Sequence, residues 1–130
     1  MIGGLFRIRV AVRVHPLHVE LLCSGKYSRS EAFRIGEQAF SEAAGACRRS
    51  VLVDVRGVDG RIPTILDRFD MGVHIATLHR ERTPRIRLAL LGHEPMIHPE
   101  RFGEIVARNR GADARVFTVE GEALDWLTAA

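Results

Sequence analysis

The sequence predicts an α/β protein of one domain, with a mixed, mostly parallel five-stranded sheet and helices packed on it. A very short connection joins the first two apolar strands, which implies an antiparallel hairpin. Apolar runs of strand length then alternate with stretches of helical periodicity, as in parallel β-α-β units. No change in composition and no repeat divides the 130 residues, so one domain is expected over 1–130. The expected order is β-β-α-β-α-β-α-β-α.

The first two strands form the hairpin. Residues 5–14 alternate apolar and polar side chains, the period of a strand with one wet face. His15-Pro16 ends this strand, and residues 17–23 form the second. The apolar side is expected to hold Phe6, Ile8, Val10, Val12 and Val14, and the wet side Arg7, Arg9, Ala11 and Arg13. These arginines either bind an acidic or phosphate-rich partner or protect an edge strand, with Glu20 paired to one of them.

A first helix and the central strand come next. Ser28, with Glu31 three residues later, predicts a capping box for a helix that runs to about Cys47. Its helical spacing assigns to the inward side Phe33, Phe40, Ala43, Ala44 and Cys47. Residues 51–55 then read as a short, buried strand. The loop that follows this strand, 56–64, is the expected working surface, because ligands and partners gather at the carboxyl ends of parallel strands.

The second helix begins at this loop. Thr64 is the expected N-cap, with Pro63 before it and Asp67 at the third helical position. The helix is expected to end near His79. Its spacing assigns to the inward side Ile65, Phe69, Val73 and Ala76.

The last third of the chain repeats the strand–helix pattern. Residues 86–91 predict a fourth strand, and His98-Pro99 predicts the start of a third helix that ends at Gly111. Residues 115–119 predict a fifth strand. Residues 120–128 predict a final helix, with Ala123, Leu124 and Leu127 facing inward and Trp126 half-buried.

Composition excludes several classes of protein. The net charge is +3, and Lys26 is the only lysine among many arginines, which is a weak signal for nucleic acid. No run of about 18 apolar residues predicts a membrane span, and the first residues do not have the pattern of a signal peptide. We therefore expect a cytoplasmic protein. Cys23 and Cys47 are expected to be reduced and buried. One cluster of basic residues comprises Arg80, Arg82, Arg85 and Arg87. It lacks the interleaved aromatic residues on which nucleic-acid bases stack.

No complete catalytic or metal-binding constellation is visible. His93, Glu94 and His98 are spaced one residue too far for a helical zinc motif, and Pro95 interrupts it. An acidic cluster near the loop would contain Asp54, Asp59, Asp67 and Asp70. Such carboxylates bind magnesium or move protons, but charge in the first turn of a helix also has a purely structural use. We expect no cofactor and no metal.

Four segments carry a combined pattern, namely Val51-Leu52-Val53-Asp54-Val55-Arg56-Gly57, the stretch 101–111 (RFGEIVARNRG), Arg115-Val116-Phe117-Thr118 and Ala123-Leu124-Asp125-Trp126-Leu127. Together they resemble the STAS domain of SpoIIAA-type anti-sigma-factor antagonists, most closely its SpoIIAA-like branch, which is related to the Sec14 (CRAL-TRIO) lipid-binding group. With the element order, the resemblance covers nearly the whole chain.

The resemblance places a regulatory site at the start of the second helix. STAS antagonists carry an Asp-Ser-Ser-Gly-type motif there, whose serine is phosphorylated to end binding. This chain reads Asp59-Gly60-Arg61-Ile62-Pro63-Thr64-Ile65 instead, so the motif is absent and Thr64 is the only hydroxyl in reach. Thr64 is therefore either a phosphorylation site, with Arg61 and Arg68 adding contacts, or simply a helix cap.

Three functional hypotheses remain open. The resemblance implies a non-enzymatic regulatory module that binds an anti-sigma factor or a kinase-like domain through Arg56, Asp59, Arg61, Thr64, Asp67 and Arg68. The alternative is a small apolar-ligand or lipid carrier, with a cavity lined by Met71, Val73, Ile97 and Phe102. The third is an enzyme that uses the loop aspartates or histidines. A homodimer through the hairpin edge or an exposed helix is compatible with each.

Overall fold

The computed structural model describes residues 7–129 and contains the nine expected elements in the expected order. The strands are β1 (Arg9–Val14), β2 (Val19–Lys26), β3 (Ser50–Asp59), β4 (Arg87–Leu91) and β5 (Ala114–Phe117). The helices, renumbered in chain order, are α1 (Arg29–Gly45), α2 (Ile65–Arg80), α3 (Phe102–Asn109) and α4 (Glu120–Thr128). In this part of the chain, no helix is long and apolar enough to cross a membrane.

The five strands form one mixed sheet in the order β1-β2-β3-β4-β5. β1 pairs antiparallel with β2, and the three other pairs are parallel. Helices α1, α2 and α3 cover one face, where Phe40 and Ile75 pack with Val53 of β3. α4 covers the other face, where Leu127 packs with Leu52. The predicted fold class is therefore confirmed.

β3 is four residues longer at its end than the sequence predicted. Its last residues continue the pairing with β2, from Ser24 opposite Gly57 to Lys26 opposite Asp59, after a register shift in the ladder. Val58 is buried in the core, which holds this extension in the sheet. Arg56 and Asp59 therefore belong to a strand, and the loop before α2 spans only residues 60–64.

The predicted inward side of α2 is wrong in half of its positions. Ile65 and Phe69 are 56% and 37% exposed, although their spacing assigned them to the core. The buried positions are Asp67, Gly72, Ile75, Ala76 and His79. This face contains a glycine, a histidine and a carboxylate, which a search for apolar periodicity does not recognise. In α1, Ala44 and Cys47 are likewise exposed, and the buried face consists of Ile35, Gly36, Ala39, Phe40 and Ala43.

Three further expectations need correction. α3 begins at Phe102 rather than at His98, because Arg101 takes a left-handed backbone conformation (φ 56°) as its N-cap. Glu20 lies opposite Arg13 in the hairpin, but its carboxylate contacts His15 Nε2 at 2.8 Å. Val12 and Val14 of the apolar side of β1 are exposed. Phe6 lies outside the described residues.

Candidate protein-docking site at the start of α2

The start of α2 is fixed by a reciprocal capping box. Thr64 is the N-cap, and its Oγ1 accepts a hydrogen bond from the Asp67 N–H at 3.0 Å. In return, Asp67 Oδ2 accepts a hydrogen bond from the Thr64 N–H at 3.1 Å. Two backbone donors that the helix cannot satisfy internally are thereby paired. Thr64 is an exposed residue, although its side-chain oxygen takes part in the cap.

Asp67 is the centre of a wider polar network. Its Oδ2 also accepts hydrogen bonds from Arg61 Nη1 at 3.0 Å and from the Tyr27 hydroxyl at 3.2 Å. The guanidinium of Arg61 lies 5.0 Å from the centre of the Tyr27 ring. Arg29 comes within 4.0 Å of Asp67 Oδ1 and pairs mainly with Asp70 at 3.0 Å. The network ties the loop before α2 to the end of β2 and the start of α1.

This network shifts two pKa values in opposite directions. Burial alone would raise the pKa of Asp67, but hydrogen bonds from the Thr64 N–H, Arg61 and Tyr27 outweigh it and lower that pKa. Burial and the neighbouring Asp67 carboxylate raise the pKa of Tyr27 to about 12. At neutral pH the carboxylate is therefore charged and the phenol is a hydrogen-bond donor. Both groups act as fixed supports of the loop.

Around this polar centre lies an exposed apolar surface. Four side chains of the loop and the first turns of α2 expose between 37% and 66% of their area, namely Ile62, Ile65, Leu66 and Phe69. We call these four residues the α2 patch. On the helix, Phe69 lies one turn after both Ile65 and Leu66, which places these three side chains on one surface, and Ile62 lies in the loop just before them. A contiguous exposed apolar patch in a water-facing position is typical of a protein interaction site.

Sequence reasoning missed the α2 patch because it assigned Ile65 and Phe69 to the core. One signal was present. α2 has apolar residues on more than one side of the helix, and a helix packed on a sheet needs only a single apolar stripe. The additional residues are Leu66, Met71, Ile75 and Leu78.

The predicted docking residues divide into two groups. Arg61, Thr64, Asp67 and Arg68 lie together at the start of α2. Arg56 is separate, on the α4 side of the sheet, where it pairs with Asp54 at 2.7 Å and Glu120 at 2.8 Å. Asp59 is also separate from the start of α2, because it is exposed at the end of β3 and pairs with Lys26 at 2.8 Å.

Arg68 connects α2 to the loop between β4 and α3. Its two terminal nitrogens donate to the carbonyls of Met96 and Pro95, each at 3.0 Å. The loop before α2 and the loop between β4 and α3 are therefore neighbours, as expected for loops at the same end of a parallel sheet. Because Arg68 serves this internal contact, it positions the site and is not a free cation for a partner.

An apolar cavity of about 200 Å³ lies between the sheet and the helices of the α1–α3 face. Met71 of α2 and Ile97 of the β4–α3 loop line it, together with Val55 and Leu90 of the sheet. Val73 and Phe102, which the sequence also placed there, are not among the lining residues. His98, Arg101 and Arg68 are also among the lining residues.

The proposed catalytic aspartates are each held in an ion pair. The shortest pairs of Asp54, Asp59, Asp67 and Asp70 are with Arg56, Lys26, Arg61 and Arg29, respectively, and Arg29 also lies 4.0 Å from Asp67. His98 Nδ1 accepts a hydrogen bond from the Glu100 N–H at 3.1 Å. Among residues 7–129, no three histidine, cysteine, aspartate or glutamate side chains come together in a way that would hold a metal ion.

The two cysteines lie in different environments. Cys23 is buried, and burial, with the nearby Asp54 charge, raises the pKa of its thiol to about 12. Such a thiol is inert at neutral pH. Cys47 is exposed, contrary to expectation, because it follows α1 in a left-handed conformation with φ 56°. Both are free thiols.

Comparison with known proteins identifies the fold. No protein-family model and no curated protein matches the sequence. Among solved structures, the chain is similar to an anti-sigma factor antagonist from Mycobacterium paratuberculosis, with 13% identity, 92% of this chain and 93% of that chain covered, and a TM-score of 0.60. It is also similar to an uncharacterised DUF3478-family protein with a SpoIIAA-like fold from Shewanella loihica, with 18% identity, 93% of both chains covered and a TM-score of 0.51. The element order, the mixed sheet and these two likenesses show that the chain has a SpoIIAA-like fold.

Proposed function

We propose that this chain is a regulatory protein-binding module that docks a partner on the α2 patch. The observation that carries the proposal is the cluster of four exposed apolar side chains around a rigidly capped helix start. Apolar anchors on a preorganised surface are what protein interfaces use at their centre. The likeness to an anti-sigma factor antagonist supports an anti-sigma factor or a kinase-like domain as the partner.

Thr64 is suited to control this docking. Thr64 is exposed and lies between Ile62 and Ile65 in the sequence, two residues of the apolar surface. Phosphorylation would add a charge of about −1.5 to −2 there. The helix start and Arg61 accommodate this charge, but it would face the Asp67 carboxylate and bring water to the patch. We therefore expect phosphorylated Thr64 to weaken partner binding while α2 remains folded.

An affinity capture with matched variants tests the docking proposal. Leu66→Asp places a charge in the α2 patch, where the side chain is 66% exposed. Leu17→Asp is the control, because Leu17 is 64% exposed and lies in the hairpin turn. Each purified chain is immobilised, incubated with lysate of the source organism, and analysed by quantitative mass spectrometry.

The expected result is a protein retained by the wild type and by Leu17→Asp but lost from Leu66→Asp. With that protein purified, calorimetry should show at least about tenfold weaker binding to Leu66→Asp, the effect of removing a central interface side chain. Thr64→Glu should weaken it in the same direction. If the wild type, Leu17→Asp and Leu66→Asp retain the same proteins in equal amounts, the docking proposal is contradicted.

The apolar cavity favours a second candidate function, the binding of a small apolar ligand. Pockets lined mainly by aliphatic side chains with a few polar groups at their margin are typical ligand sites. Native mass spectrometry of freshly purified protein tests this directly, since a retained lipid adds a discrete mass. Val55→Phe, which narrows the cavity from β3, should lower the uptake of a fluorescent fatty-acid probe, whereas Val73→Phe on α2 should not. This function would be excluded if native mass spectrometry showed only the mass of the protein chain and if Val55→Phe and Val73→Phe bound the probe equally.

A further inference from the structure

We propose that the outer edge of β1 pairs with the same edge of a second copy of this chain, antiparallel and in a single register centred on Val12. β1 lies at the end of the sheet, and within residues 7–129 only its β2 side is paired with a strand. An unpaired strand edge is a template for strand addition unless charge, proline or a covering element blocks it. Each part of the proposed register follows from a separate observation.

The hairpin turn determines which backbone groups of β1 point outward. The His15 N–H donates to the His18 carbonyl at 2.8 Å, so these two residues form a hydrogen-bonded pair. Such pairs alternate along an antiparallel ladder, and the backbone groups of residues 13, 11 and 9 therefore also point to β2. The N–H and C=O groups of the even-numbered residues point away from β2, namely Val10, Val12 and Val14.

Side chains of α1 close this edge at one end. The Ile8 N–H donates to Glu31 Oε1 at 2.8 Å, and the Ile8 carbonyl accepts from Arg34 Nη2 at 2.9 Å. These two hydrogen bonds show that the backbone groups of Ile8, an even-numbered residue, point away from β2. At the other end, the turn at Pro16 ends the strand. Within residues 7–129, the outward backbone groups of Val10, Val12 and Val14 have no hydrogen-bond partner, and we call these three residues the open edge.

The open edge is symmetric about Val12, as a two-fold contact requires. If Val12 lies opposite Val12 of the partner subunit, Val10 lies opposite the partner's Val14, and the reverse. All three pairs are then hydrogen-bonded pairs, which gives about six new backbone bonds. Centring on Ala11 or on Arg13 instead would leave one open residue without a partner strand opposite it.

The side chains favour the same register. Val12 and Val14 are 37% and 58% exposed on the α1 side, and the register covers them with valines of the second copy. On the opposite side, Arg13 lies opposite the partner's Ala11, with Glu20 beside it on β2. Centring on Ala11 would put Arg9 opposite the partner's Arg13, and centring on Arg13 would put that residue opposite itself. Like charges directly opposite each other destabilise a strand pair.

Three paired residues on each strand form a small contact, below the roughly 1,000 Å² that stable interfaces usually bury. We therefore expect a weak dimer whose population rises with protein concentration. Covalent cross-linking can trap such a dimer. The test uses the full chain with Cys47→Ser, so that Cys23, which is buried, is the only remaining native thiol. Into this background we introduce Val12→Cys, Val10→Cys or Val14→Cys and apply mild oxidation or a short bis-maleimide.

The register predicts that only Val12→Cys forms covalent dimers. Its two Cα atoms would be about 5.5 Å apart, within disulfide range. The Val10→Cys or Val14→Cys positions in the two copies would be about 13 Å apart along the strands, four residues at the rise of a strand. Val14 is the more exposed position, so random collisions would cross-link Val14→Cys at least as readily as Val12→Cys.

Sedimentation of the wild type at chain concentrations up to about 1 mM, where even millimolar dissociation constants are detected, completes the test. The expected result is a concentration-dependent dimer that Val12→Arg abolishes and Leu66→Arg, on α2, does not. Circular dichroism of Val12→Arg checks that the sheet is intact. A wild-type chain that sediments as a monomer throughout, or equal cross-linking of the three cysteine variants, would overturn the proposal.

Discussion

At the residue scale, Asp67 explains why the candidate site is rigid. One buried carboxylate completes a helix cap and accepts hydrogen bonds from Arg61 and Tyr27, which come from two other segments. The sequence predicted the cap, because a threonine followed three residues later by an acidic residue is a local pattern. It did not predict the contact with Tyr27, which is 40 positions away and depends on the fold.

Asp67→Asn should lower the free energy of unfolding at neutral pH by about 1–3 kcal/mol, since it weakens a cap and charge-assisted hydrogen bonds. The folded pKa of Asp67 is lowered, so the stabilisation is complete above the unfolded pKa of about 3.9 and is lost as pH falls through the folded value. Urea unfolding at pH 7 and about pH 3 should therefore show that the difference in free energy of unfolding between variant and wild type is smaller at about pH 3. Asp59→Asn, at an exposed pair, should change stability by less than about 0.5 kcal/mol. If Asp67→Asn lowered the free energy of unfolding as much at about pH 3 as at pH 7, the stabilising role of the Asp67 carboxylate would be contradicted.

At the element scale, α2 shows what periodicity reveals and what it conceals. Its start was predictable from Thr64, and the end expected near His79 lies one residue before the observed end at Arg80. Its orientation was not predictable, because the inward face depends on how α3 and the sheet surround the helix. Gly72 is the clearest example, since it looks like a weak point in a helix but lies where α3 approaches α2 closely.

Gly72→Ala should destabilise the protein by about 1–3 kcal/mol through overpacking, although alanine favours helices. A Cβ at Gly72 would lie 2.8 Å from the Gly103 carbonyl oxygen and from Val106 Cβ. Gly121→Ala in α4 is the matched control, because no atom lies within 4 Å of its added Cβ. It should stabilise by roughly 0.5–1 kcal/mol. Thermal unfolding measures both, and a stabilising Gly72→Ala would mean that α2 and α3 are not in contact as described.

At the scale of the whole molecule, the arrangement of the sheet followed from simple rules. A hairpin followed by right-handed strand–helix–strand units leaves few topologies, so the mixed sheet was predictable. What the sequence could not predict is the balance between core and surface. Apolar residues at helical spacing are expected to be buried, and only the complete packing shows that Ile65, Leu66 and Phe69 remain in water. The proposed docking surface therefore includes residues that local patterns assign to the core.

The central claim is that a partner protein contacts the α2 patch. The most direct measurement is photo-cross-linking in cells of the source organism, with a benzophenone amino acid replacing Leu66 in one chain and Leu17 in another. The two positions match in residue type and exposure but lie at different places in the fold. If a partner docks on the α2 patch, a discrete cross-linked protein is expected from the Leu66 position alone. No cross-linked protein at that position, or the same products from both positions, would contradict it.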